Sequence, residues 1–463
     1  MAIKTLHITN SYHPASGGIR TFYHALLEAA NRHRRLVRLV VPGAETCVEE
    51  VGDFGRIYHI AAPHVPILDS RYRWMLPHTY AWRYDSPLRR ILAAEQPDLV
   101  EVCDKFWLLY LSGVLRRQWI PGVPVPVIVR LTCERLDDNM RTYVSDGWAA
   151  QRACERYMRS CYVPRFDFHV AASDYIATEV RRLLPERLRD RLHVCPMGVD
   201  FEAFRGSREG RRLRKELLRR LGADQGTVLL LYAGRLSKEK NLSVLPAVLA
   251  RLAERARDTI GQNVQALEDR HLERFGSPAS GAGCDYRLII AGDGPFADEL
   301  RESLEDLVPG RSLFLGHCQR EELRALYQAA DVFLHPNPRE PFGIAPLEAM
   351  AAGLALVAPA SGGVLTYANT ENAWLAENSA EGFASAVEGV HADEEIYRRK
   401  ISRAQRTAEA FSWTRVTANY FQLYDQFHEW FVREGVREEE GGRLAGLARD
   451  ALKRAPTGSL HGE

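Results

Sequence analysis

The sequence predicts an α/β protein of two units, each a mainly parallel sheet with helices on both faces. Three observations predict it. Short apolar runs alternate with longer amphipathic segments in both halves of the chain. Several of these runs, such as Val228 to Ala233, are apolar throughout, as strands covered on both faces must be. Gly-containing turns follow the runs at the end where ligands gather in open α/β sheets.

Strands are expected in the first half at Thr5 to Thr9, Val37 to Val41, Asp98 to Cys103, Val125 to Leu131, Phe168 to Ala172 and Leu192 to Cys195. Helices are expected between them at Thr21 to Asn31, Pro87 to Glu95, Phe106 to Arg117 and Tyr175 to Leu184. The basic stretch 205–212 reads as a connector, so the first domain is drawn at 1–204 and the second at 205–410. A second series opens at Val228 to Ala233 and continues through Tyr286 to Ala291, Ser312 to Leu315, Asp331 to His335 and Leu354 to Ala358. Residues from about 255 to 285, with a Gly- and Ser-rich run at 276–283, read as an insertion. The aromatic segment 411–432 is amphipathic and needs a surface to cover, whereas the charged tail 433–463 has the composition of a partly disordered segment.

Composition narrows the function. At 463 residues, 46% hydrophobic and 26% charged, the chain has the make-up of a soluble globular protein with two or three cores. A net charge of +1 argues against nucleic acid as a partner. No apolar stretch approaches the roughly 20 residues that span a bilayer, and the first residues lack a signal-peptide core. The eight cysteines form no C-x-x-C pair, which leaves a reduced, cytoplasmic setting as the expectation. Arg32, Arg34, Arg35 and Arg38, with Arg181, Arg182, Arg187, Arg189 and Arg191, make the first domain locally basic. Two meanings stay open for them, a solvated face and peripheral docking on the anionic inner face of the plasma membrane.

The most informative segment runs from Arg339 to Gly353, R-E-P-F-G-I-A-P-L-E-A-M-A-A-G. It reads as a turn at Pro341 and Gly343 leading into a helix, with Glu340 in the turn and Glu348 one turn into the helix, on the face of Ile344. Carboxylates accept from sugar hydroxyls, and free amides at a helix N-terminus attract phosphate. A capped helix start with a solvated second Glu would read the same way. Upstream, Gly234-Arg235 ends an apolar run and Lys240 follows, which brings two cations to the edge of a sheet. Arg235 suits bidentate contact with phosphate and Lys240 a point charge beside it, although a surface ion pair of Arg235 with Glu239 is equally compatible. Gly17-Gly18 after the first strand, and Gly292-Asp293-Gly294-Pro295 after another, allow close backbone approach to a ligand or simply tight turns. No D-x-D pair occurs, so no metal is expected against a diphosphate, and no cofactor is called for.

Taken in order, these motifs resemble glycosyltransferase family 4, the retaining enzymes of the GT-B fold. The resemblance covers residues 3 to about 430 and includes Pro196-Met197-Gly198-Val199-Asp200 and Phe314-Leu315-Gly316-His317. It implies two Rossmann-like domains facing each other across a cleft, with the acceptor bound by the first, a nucleotide-sugar donor by the second, and segment 411–432 crossing back to the first. By the same resemblance Arg235, Lys240 and Glu340 would be catalytic. Gly17, Gly18, Gly234, Gly292, Gly294, His317, Phe342, Gly343, Ile344 and Glu348 would bind the donor, with Glu348 on the ribose. The sequence departs from the family at two places. Thr132 stands where members often carry a His, so Thr132, Glu134 or Asp104 become candidates for sugar or acceptor contact, with capping or core roles as their alternative. Gly362-Gly363 is followed by Val364-Leu365-Thr366 without the usual acidic residue. The expected activity is transfer of a hexose from GDP-mannose or a UDP-hexose to a glycan or lipid-linked acceptor. A GT-B phosphorylase, a sugar-nucleotide epimerase and a catalytically degraded sugar-nucleotide-binding protein are the alternatives.

Overall fold

A computed structural model of the chain describes residues 3–12, 17–64, 72–79, 85–104, 107–143, 145, 147–205, 209–269 and 285–441. Two compact units result, one of residues up to Met197 together with those from Thr414 onward, the other Gly198–Trp413.

The first unit is an eight-stranded sheet in the order β3-β4-β2-β1-β5-β6-β7-β8. Its strands are β1 (Thr5–Thr9), β2 (Val37–Gly43), β3 (Cys47–Val51), β4 (Gly55–Ala61), β5 (Leu99–Cys103), β6 (Val127–Thr132), β7 (Phe168–Ala171) and β8 (Leu192–Val194). All pairings are parallel except that of β3 with β4, an antiparallel hairpin at one edge. The chain builds outward from β1 in one direction and returns to build from β5 in the other. The sheet therefore reverses its order between β1 and β5, the kind of point where open α/β sheets bind ligands. On one face Leu6, Ile8, Val100, Val102 and Ile128 join a continuous apolar core.

The opposite face carries buried polar groups that explain the aromatic C-terminal segment. His7 Nδ1 lies 2.9 Å from Glu101 Oε1, and Tyr23 donates to the same oxygen over 3.2 Å. The helix Trp413–Gly441 brings Tyr424, whose hydroxyl donates to Glu101 Oε2 over 2.6 Å, and Tyr420, which donates to the carbonyl of Cys195. Phe427 stacks on Phe168 at 4.0 Å, the Arg191 guanidinium covers the Trp430 ring, and Arg35 pairs with Asp425. Buried Val416, Tyr420, Tyr424 and Phe427 recur at helical spacing, so from Thr414 onward the helix presents one stripe to this unit. It starts at Trp413 and runs on to Gly441, past the 432 boundary read from sequence; tail residues 442–463 lie outside the described residues.

The second unit is a six-stranded parallel sheet, β11-β10-β9-β12-β13-β14. Its strands are β9 (Val228–Ala233), β10 (Tyr286–Ala291), β11 (Ser312–Gly316), β12 (Val332–Leu334), β13 (Ala355–Pro359) and β14 (Trp374–Ala376). β9 is central and buried along its whole length, as its apolar run requires. Here the order reverses between β9 and β12. One helix, Val244–Asp269, occupies the start of the expected insertion, and the Gly-rich run 276–283 lies outside the described residues. Gly198 to Asp200 pair with the segment before Thr414: Val199 N donates to Phe411 O and Trp413 N to Val199 O. A Cβ at Gly198 would sit 2.5 Å from the Trp413 ring, which accounts for a glycine there.

Candidate active site

The site grows from the carboxyl ends of β9 and β12. β9 ends at Ala233 and is followed by Gly234, with φ +154, and a short 3-10 turn at Lys238–Lys240. β12 passes through His335 into the turn that carries Glu340, then through Phe342 and Gly343 into the helix Ile344–Ala352. Ala, Leu, Glu and Met favour that helix, Pro346 is tolerated in its first turn, and Gly343, at φ +86, supplies the left-handed start. Tyr367 fastens the turn by donating to the carbonyls of Phe342, over 3.1 Å, and Gly343.

Lys240 and Glu340, a hundred residues apart in sequence, meet here. The Lys240 ammonium donates to both carboxylate oxygens, at 3.1 and 2.9 Å, and Asn337 Nδ2 donates to Oε2 over 3.0 Å. Glu340 is 8% exposed. Burial pushes its carboxyl up, but the charge of Lys240, with His335 and the hydrogen bonds from Lys240 and Asn337, brings it below the ordinary value. His335 is buried beside them, its Nε2 3.9 Å from Glu340 Oε2 and without a hydrogen-bond partner. Burial lowers its pKa to about 4, with Glu340 opposing and Lys240 reinforcing, so the ring is neutral at neutral pH. Glu348 accepts from Tyr327 Oη over 3.0 Å, and burial raises its carboxyl. Arg235 is half exposed and paired with Glu239, while Tyr232 donates to the Arg235 carbonyl.

The glycines of this edge divide by environment. A Cβ at Gly292 would meet the Gly234 carbonyl oxygen at 1.9 Å, and one at Gly294 the Leu236 oxygen at 2.3 Å. Gly234 N donates to Ala291 O and Leu236 N to Asp293 O, so these turns pack backbone against backbone. Gly363 does the same for the Glu340 turn: its N–H donates to the Glu340 carbonyl over 2.6 Å, and a Cβ would meet Pro341 O at 1.9 Å. His317 is exposed just beyond the end of β11.

The first unit places Asp104 and Gly17 at its own reversal, after β5 and β1, and Thr132 and Glu134 one strand further on, at the end of β6. Asp104 follows β5; Asn10 Nδ2 donates to its Oδ2 over 3.0 Å, and the N–H groups of Trp107 and Leu108 donate to its Oδ1 at 2.8 and 3.0 Å. Thr132 ends β6, buried, its hydroxyl without a hydrogen-bond partner. Glu134 is exposed and accepts from Asn139. Gly17 N-caps the helix Gly18–His33, and a Cβ there would meet nothing within 4 Å; residues 13–16 of its loop lie outside the described residues.

Residues 214–407 match the family model of the glycosyl transferases group 1, and residues 17–198 match that of a glycosyl transferase 4-like domain. The D-inositol 3-phosphate glycosyltransferase of Corynebacterium glutamicum is 30% identical over 69% of this chain and 70% of its own length. This chain is a family 4 glycosyltransferase. A GDP-mannose-dependent alpha-(1-6)-phosphatidylinositol dimannoside mannosyltransferase of Mycobacterium tuberculosis is 28% identical over 90% of this chain and 94% of that one. The fold is GT-B: sucrose-phosphate synthase from Thermosynechococcus elongatus superimposes with a TM-score of 0.66 at 18% identity, covering 91% of this chain and 98% of that one.

Within this glycosyltransferase, the sequence reading missed two side chains of the Glu340 cluster, Asn337 and His335. Their signal was present, since both lie within five residues of Glu340 on the exit from β12, but polar residues in a turn do not reveal which neighbour they face. Tyr327 was missed because it reads as one more apolar residue of the helix Arg320–Ala329.

Proposed function

We propose that this glycosyltransferase moves a hexose, with mannose from GDP-mannose as the first donor to test and a UDP-hexose as the second, to a lipid-linked or glycan acceptor with retained anomeric configuration and without a metal. The observation that carries the proposal is the Lys240–Glu340 pair at the chain reversal of the second sheet, below the N-terminus of the helix Ile344–Ala352. The mannosyltransferase relative, matched over nearly its whole length, supports the donor and the lipid-linked class of acceptor.

In this reading Lys240 and Arg235 take the donor diphosphate, the amides of Phe342, Gly343 and Ile344 add dipolar stabilisation, and Glu340 accepts from sugar hydroxyls. Glu348, one helical turn on, accepts from the ribose, and Gly17 and Gly18 open the first unit's helix towards phosphate. Developing negative charge on the leaving diphosphate is where fixed positive groups act most strongly. Lys240 and Arg235 are each paired with a carboxylate in the structure, so donor binding exchanges an internal partner for a phosphate. Glu340 then keeps Asn337 as its hydrogen-bond donor.

The test is transfer from GDP-mannose and UDP-glucose to a phosphatidylinositol mannoside, in EDTA, with the product anomer read by NMR. Retention in EDTA is the expected result. Inversion, or activity that returns only with Mg²⁺ or Mn²⁺, would refute those parts of the proposal.

A further inference from the structure

One side chain beside the Lys240–Glu340 pair has no task in the proposed function. His335 is 5% exposed, its Nε2 has no hydrogen-bond partner, and that atom lies 3.9 Å from Glu340 Oε2. Buried polar atoms are normally hydrogen-bonded, so an orphan nitrogen facing a carboxylate calls for a reason. The backbone around it is held: His335 N donates to Val357 O over 2.9 Å, and Asn241 Nδ2 donates to the carbonyl of Pro336, also over 2.9 Å. The gap from Nε2 to Glu340 is roughly 1 Å longer than a good hydrogen bond, a distance that a small tilt of the ring closes.

Donor binding changes what faces this ring. In the proposed function Lys240 turns to the diphosphate, and Glu340 keeps only the neutral amide of Asn337. Asn337 has no more to offer, since its Oδ1 accepts from Arg339 N over 3.0 Å. A buried carboxylate deprived of its cation is strongly disfavoured. Burial holds the His335 pKa down at about 4, Glu340 opposes that effect, and Lys240 reinforces it. The phenols of Tyr232 and Tyr367, which feel the Glu340 charge from β9 and from the end of the turn Gly363–Thr366, are kept neutral by burial. Once the ammonium faces phosphate, the charge that repels a proton from the ring is neutralised and the one that attracts it stands alone.

We propose that His335 is a positioning residue for Glu340: when Lys240 moves to the donor, the ring takes a proton from solvent and donates Nε2–H to Glu340 Oε2. The carboxylate then stays ionised, with two donors holding it towards the sugar. A proton on Glu340 instead would compromise the acceptor that the sugar hydroxyls need. The inference rests on the Lys240 exchange of the proposed function and deepens it, since donor binding becomes linked to proton uptake.

The experiment is calorimetric titration of the full chain with GDP-mannose and with UDP-glucose at pH 6.5, in MES and in imidazole buffer. The two buffers differ in ionisation enthalpy and the donors are diphosphate diesters that do not titrate near neutrality, so the difference in heat counts protons taken up by the protein. If the bound ring regains the ordinary histidine value of about 6.5, uptake is about half a proton per donor. Affinity is then about tenfold tighter at pH 5.5 than at pH 7.5. His335→Gln supplies a neutral donor at similar reach and should bind with neither the uptake nor that pH dependence; a merely structural ring would leave the proton count unchanged. Equal heats in the two buffers for a donor that binds would overturn the inference and leave the transferase reading standing. Uptake that persists in His335→Gln puts the proton elsewhere and overturns it too. Should that variant not fold, the imidazole NMR signals of the wild-type chain decide: one ring must move towards imidazolium when donor is added at pH 6.5, and unchanged signals overturn the inference. Binding of neither donor overturns the donor reading itself, and the inference with it.

Discussion

The two sheets reverse their strand order at comparable points but furnish them differently. At β9 and β12 the second unit brings together an ammonium and a buried carboxylate, with turns so close that glycine is required at 292 and 363. At β1 and β5 the first unit brings together Asn10 and Asp104, and the Asp104 carboxylate also accepts from two backbone N–H groups of the following turn. One edge holds charge that a ligand can exchange; the other has largely satisfied its polar groups internally. On the proposed assignment of the donor to the second unit and the acceptor to the first, donor recognition falls to side chains whose identity is chemically constrained, and acceptor recognition to positions such as Thr132 that many residue types could fill.

The strongest way to break this contrast is to remove the charge pair. Lys240→Ala and Glu340→Ala are each expected to lower kcat/KM by roughly 10²–10³-fold, the scale for losing one stabilising group at a developing anion. Asp104→Asn, which keeps a carbonyl oxygen for the cap, should cost under about tenfold if the first unit's edge is mainly structural. Steady-state kinetics on the three variants rank them; a larger loss at Asp104 than at Lys240 would reverse the comparison.

Next come the glycines. Gly292→Ala forces a Cβ against a carbonyl oxygen at a φ of +153 and should destabilise the second unit by about 2–4 kcal/mol. Gly17→Ala adds a methyl where nothing lies within 4 Å and costs only a glycine N-cap, so urea denaturation should move by no more than about 1 kcal/mol. A fall in turnover for Gly17→Ala at unchanged stability would place that helix start at the ligand.

The histidines give a smaller, graded effect that each unit shows separately. Burial lowers His335 of the second unit to about 4, and burial with the charge of Arg130 lowers His169 of the first to about 3. Both rings are neutral at neutral pH when folded, whereas the unfolded chain takes up the protons near the ordinary histidine value of about 6.5. Their contribution is complete above about pH 6.5 and is lost as pH falls towards 4 and 3. His335→Gln should flatten the decline in stability between pH 7 and 4.5, measured by chemical denaturation; an unchanged slope would show that the ring is protonated in the fold. Smallest is Thr132→Val: with no hydrogen bond to lose, stability should change by less than about 0.5 kcal/mol. A drop in kcat would then mark the hydroxyl as a substrate contact, and unchanged kcat would remove it from the candidates.

Much of the second unit was legible because its constraints are local. The apolar run of β9 and the Gly-Pro turn before the helix Ile344–Ala352 each leave a periodic or compositional trace. The hairpin β3–β4 left none, since Cys47–Val51 is exposed along nearly its whole length and Glu49 and Glu50 break any apolar alternation. β14 is three residues long, too short for a pattern. Lys240 and Glu340 could be nominated separately as a cation and an acid near strand ends. Their mutual hydrogen bonds, and the roles of Asn337 and His335 around them, depend on the turn after β12 and become visible only with coordinates.

The central claim is that the Lys240–Glu340 edge is where donor diphosphate binds, and calorimetric titration with GDP and UDP tests it most directly. The variants are Lys240→Met and Lys240→Met/Glu340→Gln, the second removing both buried charges so that binding is separated from the cost of an unpaired carboxylate. The account predicts that the wild-type chain binds at least one of the two nucleotides and that both variants bind it at least tenfold more weakly, with the double variant's melting temperature close to wild type. Undiminished affinity in the double variant would contradict it.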